Sequence, residues 1–217
     1  MFSIADIIYY LIASIAFILS VILNLKKEPL FYLKAFTPFL AIDTLVSLLT
    51  TYLAYKSINT IWIVNLLSLF EFCFYIWVIR AIIKSVRIKK VALILLISFP
   101  LLTLLNFLFL QGIANFHSIT YSLGCLIIIF LSIYYFFELF RTQHSVRLVS
   151  DSGFWICSAL LFFYSVSFPL FVSANFMKSF PQKLGSLIAF ILSTLNFILY
   201  SLFCIAFLCK ITIRKSS

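Results

Sequence analysis

Charged residues are scarce in this sequence, and acidic residues are the scarcest. Of 217 residues, 10% are charged and six are Asp or Glu, whereas 65% are hydrophobic and the mean hydropathy is +1.20. A soluble domain needs a much larger share of charged residues to cover its surface. The composition therefore excludes a soluble enzyme or binding domain and indicates a polytopic integral membrane protein.

Glycine, cysteine and histidine are also few, and this excludes several kinds of site. Four glycines are too few for helix packing through repeated GxxxG faces. The five cysteines include no C-x-x-C spacing, so neither a disulfide framework nor a zinc knuckle is indicated. His117 and His144 fall on opposite sides of the predicted membrane domain and cannot share a metal ion. We therefore predict no metal site and no cofactor.

Long hydrophobic runs, by contrast, fill the sequence. A helix needs about 20 mainly apolar residues to cross the hydrocarbon core, where it satisfies its own backbone hydrogen bonds. Seven such runs are present, and we predict one domain over residues 1–217. The helices are expected at about 4–25, 35–55, 60–83, 91–111, 118–140, 153–174 and 187–209. The predicted fold is an all-α bundle of seven transmembrane helices.

Basic residues are distributed unevenly between the predicted connections. Lys and Arg concentrate on the cytoplasmic side of membrane proteins. With the N-terminus outside, 13 of the 16 basic residues are cytoplasmic: Lys26, Lys27, Lys34, Arg80, Lys84, Arg87, Lys89, Lys90, Arg141, Arg147, Lys210, Arg214 and Lys215. Lys56, Lys178 and Lys183 remain outside. This predicts an external N-terminus and a cytoplasmic C-terminus, in the bacterial inner (cytoplasmic) membrane.

The densest basic segment is the predicted cytoplasmic basic face. It comprises Arg80, Lys84, Arg87, Lys89 and Lys90. Arg80, Lys84 and Arg87 have the spacing of one helical face, which predicts a docking surface for a cytoplasmic or membrane protein partner. Positive-inside bias and contact with anionic membrane lipids account for the same residues. We therefore do not interpret the net charge of +10 as a nucleic-acid site.

Two acidic residues, Asp43 and Glu71, fall inside predicted helices. Each lies nine residues from a flanking basic residue, Lys34 or Arg80, so at ~1.5 Å per residue both carboxyl groups lie about 13 Å from the basic side. Helices joined by a short connection are usually neighbours, so we expect the two carboxyl groups to face one cavity and share a proton. Ionisable groups inside a membrane cost ~2.5–3.5 kcal/mol each to insert and generally mark functional sites.

Polar residues at helical spacing accompany the two acids. Asn65, Ser68 and Tyr75 share a face with Glu71, and Asn196 shares a face with Tyr200 near the depth of the acids. Such stripes also serve as ordinary contacts between membrane helices, which is the alternative interpretation for the uncharged residues. The predicted ligand or proton site comprises Asp43, Glu71, Tyr200, Asn65, Ser68, Tyr75 and Asn196, and we predict no catalytic residue.

Two segments resemble small seven-helix bacterial membrane proteins of unassigned function. They are FWI, from Phe154 to Ile156, and LNFILY, from Leu195 to Tyr200. The resemblance implies a seven-helix membrane fold and brings no catalytic residues with it.

Three functions are compatible with these features. The first is a receptor-like or regulatory protein that senses a small or lipidic ligand, or protonation, and acts through a partner at its basic face. The second is a small proton- or cation-coupled transporter or channel subunit that uses Asp43 and Glu71. The third is an intramembrane lipid-modifying enzyme, which the lack of a nucleophile motif beside the acids disfavours. A Phe-rich outer surface is expected to contact lipid or a second copy of the chain.

Overall fold

The computed structural model describes residues 4–25, 30–142, 148–176 and 182–213, and within these ranges it is helical without strands. The helices are α1 (Ile4–Asn24), α2 (Phe31–Lys34), α3 (Phe36–Tyr55), α4 (Ile61–Ile82), α5 (Val86–Leu105), α6 (Ser118–Thr142), α7 (Ser152–Phe176) and α8 (Gln182–Ile213). Seven spans are long and apolar enough to cross a membrane, with α2 and α3 forming one of them. This confirms the predicted seven-helix membrane protein. Lys26, Lys27, His144, Arg147, Lys178, Arg214 and Lys215 lie outside the described residues.

Six of the seven described spans form a ring, and α5 packs outside it. Helix α1 contacts α3 and α8, α8 contacts α7, and α7 contacts α6. Helix α4 contacts both α3 and α6 and thereby closes the ring. Helix α5 contacts α4 and α6 from outside. The space enclosed by the ring is therefore where an internal site can form.

Apolar side chains cover the outside of the bundle, and polar side chains lie inside it. Leu11, Phe109 and Phe130 are more than half exposed. Polar residues including Asp43 and His117 are fully or almost fully buried. This inverted distribution suits hydrocarbon as the surrounding medium, because lipid tails solvate apolar groups and offer no hydrogen bonds.

Side-chain hydrogen bonds across the bundle show which helix ends lie together. At one end, the Tyr32 hydroxyl lies 2.9 Å from the Ser152 hydroxyl and so joins α2 to α7. At the other end, the Asn65 amide donates to the Asn115 carbonyl at 2.8 Å. We call the first the basic end, because Lys34, Arg80–Lys90, Arg141 and Lys210 lie there, and the second the capped end, where residues 111–117 lie.

The span predicted at 35–55 is interrupted near its start. Helix α2 ends at Lys34 and α3 begins at Phe36, which places Pro38 in the first turn of α3, where a missing N–H is tolerated. Pro38 cannot donate to the Lys34 carbonyl four residues earlier. The Asn24 amide donates to that carbonyl instead, at 3.2 Å, and to the Thr37 hydroxyl at 2.7 Å. A side chain of α1 therefore supplies the hydrogen bond that the proline removes.

The single helical face predicted for Arg80, Lys84 and Arg87 is wrong. Helix α4 ends at Ile82, Ile83 is extended (φ −57°, ψ 142°), and α5 begins at Val86 rather than at 91. Arg80 and Arg87 therefore belong to different helices, with Lys84 in the connection between them. The basic residues still lie close together, since Arg80 Nε donates to the Lys89 carbonyl at 3.2 Å.

Glu138 of α6 holds this connection in place. Its two carboxylate oxygens accept hydrogen bonds from the backbone N–H groups of Lys84 and Ser85, each at 2.7 Å. A negative charge beside the N-terminus of α5 is also favoured by the helix dipole. The basic residues at 80–90 predict a break between the two helices, but hydropathy cannot show where α5 begins, because Glu138 of another helix fixes that position.

We predict that Glu138→Ala destabilises the bundle. Two backbone N–H groups lose a charged acceptor, so the free energy of unfolding should fall by about 2 kcal/mol. Unfolding by dodecyl sulfate in mixed micelles, followed by circular dichroism, measures this change. Glu138→Gln should show a smaller loss because it retains one acceptor oxygen. Equal stability of Glu138→Ala and wild type would contradict the role given to this carboxylate.

Helices α4 and α6 approach closely at Gly124. A β-carbon at this position would lie 2.7 Å from the ring of Phe72, which is completely buried and has no room to move. The close approach brings Phe72 within 5.1 Å of Tyr121, measured between ring centroids. One glycine therefore sets the distance at which α6 presents its aromatic residues to the interior.

Candidate functional site

Asp43, Glu71 and Tyr200 meet inside the ring. The Tyr200 hydroxyl of α8 donates a hydrogen bond to Oδ2 of Asp43 on α3. The Glu71 side chain of α4 is hydrogen-bonded to the Asp43 carboxyl group. Two carboxylates can only accept, so a hydrogen bond between them requires a proton on one of the two. The structure thus brings together the three residues predicted to form the centre of the site.

The two acids differ in what else they contact. Asp43 is 1% exposed and lies behind Tyr200 and Glu71. Glu71 is only partly buried, because one side of its side chain forms part of a cavity wall. Asp43 therefore holds the Tyr200 and Glu71 side chains in place and supplies negative charge to the site. Glu71 is the acid that an occupant of the cavity would touch.

The cavity enclosed by the ring has a volume of about 220 Å³. This is smaller than the about 300–1,000 Å³ typical of pockets for drug-sized ligands. Its lining residues come from every span except α5: Tyr9, Ser47, Val64, Leu67, Ser68, Glu71, Tyr75, Phe116, Tyr121, Phe163, Tyr164, Phe171, Leu192, Asn196, Leu199 and Tyr200. The space suits a small molecule or a group of waters.

The predicted site residues separate into three groups in the structure. Ser68, Tyr75 and Asn196 line the cavity together with Glu71 and Tyr200. Asn65 has a different position, since its amide holds residues 113–117 at the capped end. The basic-face residues Arg80, Lys84, Arg87, Lys89 and Lys90 lie at the basic end, away from the acids.

An aromatic plug separates the cavity from the basic end. It consists of Phe36, Phe39, Phe74, Phe203 and Phe207. Phe39 and Phe74 stack face to face with ring centroids 3.8 Å apart, and Phe36 packs edge-on against Phe74 at 5.1 Å. Each of three plug residues lies about one helical turn from a site residue of the same helix: Phe39 from Asp43, Phe74 from Glu71 and Phe203 from Tyr200. The cavity is thus closed toward the basic end.

At the capped end, His117 closes the interior through a buried hydrogen-bond network. Its Nε2 lies 2.7 Å from the Ser68 hydroxyl, and its Nδ1 lies 2.6 Å from the Thr120 hydroxyl. The His117 backbone N–H donates to Asn65 Oδ1 at 3.3 Å. Ser68 also lines the cavity, one turn along α4 from Glu71. Ser68 therefore brings the His117 network to within one helical turn of Glu71.

The end of α5 supports this network although α5 does not line the cavity. The last turn of the span, Asn106–Leu110, is a π-helix, and the Asn106 amide donates to Gln111 at 2.8 Å and to Thr120 at 3.2 Å. Gln111 in turn donates to the Ser118 hydroxyl at 2.9 Å. The extra residue of the π turn directs Asn106 and Gln111 toward the start of α6, as is common for π turns near functional sites.

Sequence reasoning missed three residues of the site: His117, Tyr9 and Tyr121. His117 was predicted to lie at a membrane surface, but the connection folds back and buries it completely. Tyr9 reaches the site from α1, with its hydroxyl directed at Ser47 and its ring 5.6 Å from that of Tyr200. One sequence feature could have indicated these residues. Phe116 and His117 precede the predicted start of a helix at 118, and Tyr121 follows one turn later, so polar and aromatic side chains cluster at that helix start.

Comparisons with protein-family models, curated proteins and solved structures found no match to this chain. Its function must therefore be inferred from the chemistry of the site.

We predict that Tyr200→Phe destabilises the fold. The change leaves Asp43 without its hydroxyl donor in a buried site, so the free energy of unfolding should fall by about 1–3 kcal/mol. Tyr55→Phe is the matched control, because Tyr55 is 75% exposed. Detergent unfolding of the two variants tests the contact, and equal stability of both variants would show that the Tyr200 hydrogen bond contributes nothing.

We also predict a pH dependence that arises from His117. Burial lowers the pKa of His117 from 6.5 to about 4. Below pH 6.5 the unfolded chain therefore binds a proton before the folded chain does, and stability falls as the pH drops from 6.5 toward 4. The total loss should be on the order of 3 kcal/mol. Above pH 6.5 the contribution of this residue is constant.

His117→Gln isolates the effect, because it keeps hydrogen-bonding groups near Ser68 and cannot titrate. Melting temperatures of wild type and variant should be measured at several pH values between 7.5 and 4, and the wild type should lose more stability over the window. A constant difference between the two proteins at all pH values would contradict the prediction.

Proposed function

We propose that this chain is a receptor-like or regulatory membrane protein that binds a small ligand, or takes up protons, at Asp43, Glu71 and Tyr200. The observation that carries the proposal is a pair of hydrogen-bonded carboxyl groups, one of which forms part of the wall of the cavity inside the helix ring. Such a pair is costly in a membrane and is expected to act on whatever occupies the cavity.

The plug supports transmission from this site to the basic end. Phe39, Phe74 and Phe203 lie about one helical turn from Asp43, Glu71 and Tyr200 toward the basic end, and their rings are in direct contact with neighbouring plug residues. A change at the acids that shifts α4 against α3 or α8 must repack these rings. Helix α4 then continues to Arg80 and to the connection held by Glu138. A partner that reads the basic face would sense this movement.

Charge distribution supports the orientation of the proposed receptor. The basic end carries most of the Lys and Arg residues in the described part of the chain, so we place it in the cytoplasm and the N-terminus outside. Anionic headgroups of the inner membrane of a bacterium would contact the same residues, and a cytoplasmic or membrane protein would bind between or over them. The capped end, with His117, then faces the exterior and is the side from which a ligand enters.

A proton- or cation-coupled transporter is the second candidate. The acid pair and the route from His117 through Ser68 to Glu71 favour it, since buried acids carry protons or cations in many transporters. The closed plug disfavours an open channel, because no polar side chain continues the route between stacked Phe39 and Phe74. A lipid-modifying enzyme is favoured least, since no histidine or cysteine lies beside the acids among the described lining residues.

Flux measurements in proteoliposomes distinguish these functions. We expect the purified wild type to conduct neither protons nor cations, because the plug blocks the route. We expect no flux from Asp43→Asn or Glu71→Gln either. Thr44→Val is the matched control on α3, since the Thr44 hydroxyl donates to the Leu40 carbonyl of its own helix. Wild-type flux that Glu71→Gln abolishes and Thr44→Val retains would establish the transporter and refute the receptor.

A further inference from the structure

Three tyrosine hydroxyls on the cavity wall have no hydrogen-bond partner among the described residues. They belong to Tyr75, Tyr121 and Tyr164, which are 2%, 8% and 1% exposed. Other buried tyrosines are paired: Tyr200 donates to Asp43, and Tyr135 donates to Asp151 at 2.7 Å. The unpaired hydroxyls therefore distinguish the cavity from the rest of the interior.

A buried hydroxyl without a partner is costly, so native proteins nearly always satisfy it. Tyr75 comes from α4, Tyr121 from α6 and Tyr164 from α7, and all three border the same cavity as Glu71. Whatever occupies this space is the available partner for them. Since each hydroxyl can accept as well as donate, together they suit a group that carries several N–H or O–H donors.

Charge narrows the identity of that group. The acid pair retains one negative charge when its two carboxyl groups share one proton. Asp43, which also accepts from Tyr200, holds that charge directly behind Glu71, and Glu71 presents a carboxyl oxygen to the cavity. No Lys, Arg or His is present among the described lining residues. His117 lies outside the lining, and its ring is hydrogen-bonded to Ser68 and Thr120. A cationic occupant would supply the missing positive charge.

The wall also favours an organic cation over a metal ion. Eight of its sixteen residues are aromatic, including Phe116 and Phe163 beside the tyrosines. Aromatic faces attract ammonium groups and accommodate the apolar carbons attached to them, whereas a metal ion requires more oxygen ligands than one carboxylate and scattered hydroxyls supply. The small volume limits the carbon chain to a few atoms.

We propose that the cavity binds a small protonated amine, whose ammonium group donates to Glu71 and to the free hydroxyls of Tyr75, Tyr121 and Tyr164. The apolar part of the amine packs against Phe116 and Phe163. This inference rests on the proposed function of the cavity as a ligand site, and it adds the chemical class of the ligand.

The test uses the full-length protein in detergent micelles or nanodiscs, with n-butylammonium chloride as the probe. Isothermal titration calorimetry and thermal unfolding report binding. 1-Butanol has the same chain without the charge, and sodium chloride supplies a cation without the chain. We expect butylammonium to bind and to raise the melting temperature, and the other two to have no effect at equal concentration.

Two substitutions locate the binding in the cavity. Glu71→Gln should weaken butylammonium binding by about tenfold or more, because a charged hydrogen bond is lost. Tyr164→Phe should weaken it roughly threefold to tenfold without lowering the melting temperature of the empty protein, because its hydroxyl has no protein partner to lose. Tyr32→Phe is the matched control. It loses the Ser152 contact, so it should lower the melting temperature and leave binding unchanged.

The possible failures separate the two proposals. If 1-butanol or sodium binds as well as butylammonium and Glu71→Gln removes this binding, the proposal of an amine ligand is refuted. The proposal that the cavity is a ligand site is then supported. If butylammonium binds equally to wild type, Glu71→Gln and Tyr164→Phe, its site lies elsewhere and the inference is refuted. If folded wild type binds none of the three probes, the amine is again refuted, and the flux experiment above decides whether the site instead carries protons.

Discussion

The hydrogen-bonded pair of Asp43 and Glu71 is the interaction on which the interior of this protein depends. Two carboxyl groups in a membrane interior must be neutralised or hydrogen-bonded, because the cost of leaving a charge there is several kcal/mol. One shared proton removes one charge, and Tyr200 donates to Asp43 from a third helix. These contacts tie α3, α4 and α8 together at one depth, where helix packing in lipid otherwise depends on close van der Waals contact.

The regions on the two sides of the acid pair differ in the polarity of their side chains. Toward the capped end lie the polar side chains of Ser68, His117 and Thr120. The cavity wall on this side is rich in aromatic residues, and some of its tyrosine hydroxyls have no hydrogen-bond partner among the described residues. Toward the basic end, Phe36, Phe39 and Phe74 pack without polar atoms. Polar groups reach the acids from one side only. This asymmetry favours a site that is filled and emptied from the capped end over a path that crosses the membrane.

The seven spans and the depth of the acids could be predicted because both follow from local rules. Apolar length identifies a span, and counting residues from a basic flank places Asp43, Glu71 and Tyr200 at similar depths. The end of the third span near 83 was predicted, but the start of α5 at Val86 rather than at 91 could not be, because Glu138, more than 50 residues later, determines it. The burial of His117 depends likewise on Asn65 and Ser68 of another helix. Tyr9 and Tyr121 joined the site only because the ring closes, and no periodicity within one helix contains that information.

Helix α5 shows how a span outside the ring can still belong to the site. Polar contacts hold it at both ends: Glu138 binds the connection that leads into it, and Asn106 and Gln111 bind the start of α6 beside the His117 network. Between these ends α5 presents Leu101 and Leu104 to the outside and packs Phe99 against Phe72 of α4, so the helix is held along its length as well as at its ends. In the proposed receptor, a ligand that enters past His117 must displace residues 111–117. Helix α5 would carry that displacement to Lys84 and Ser85 without passing through the plug. In this proposal the basic end is joined to the cavity by two routes, one through packed rings and one through a single helix fixed at both ends.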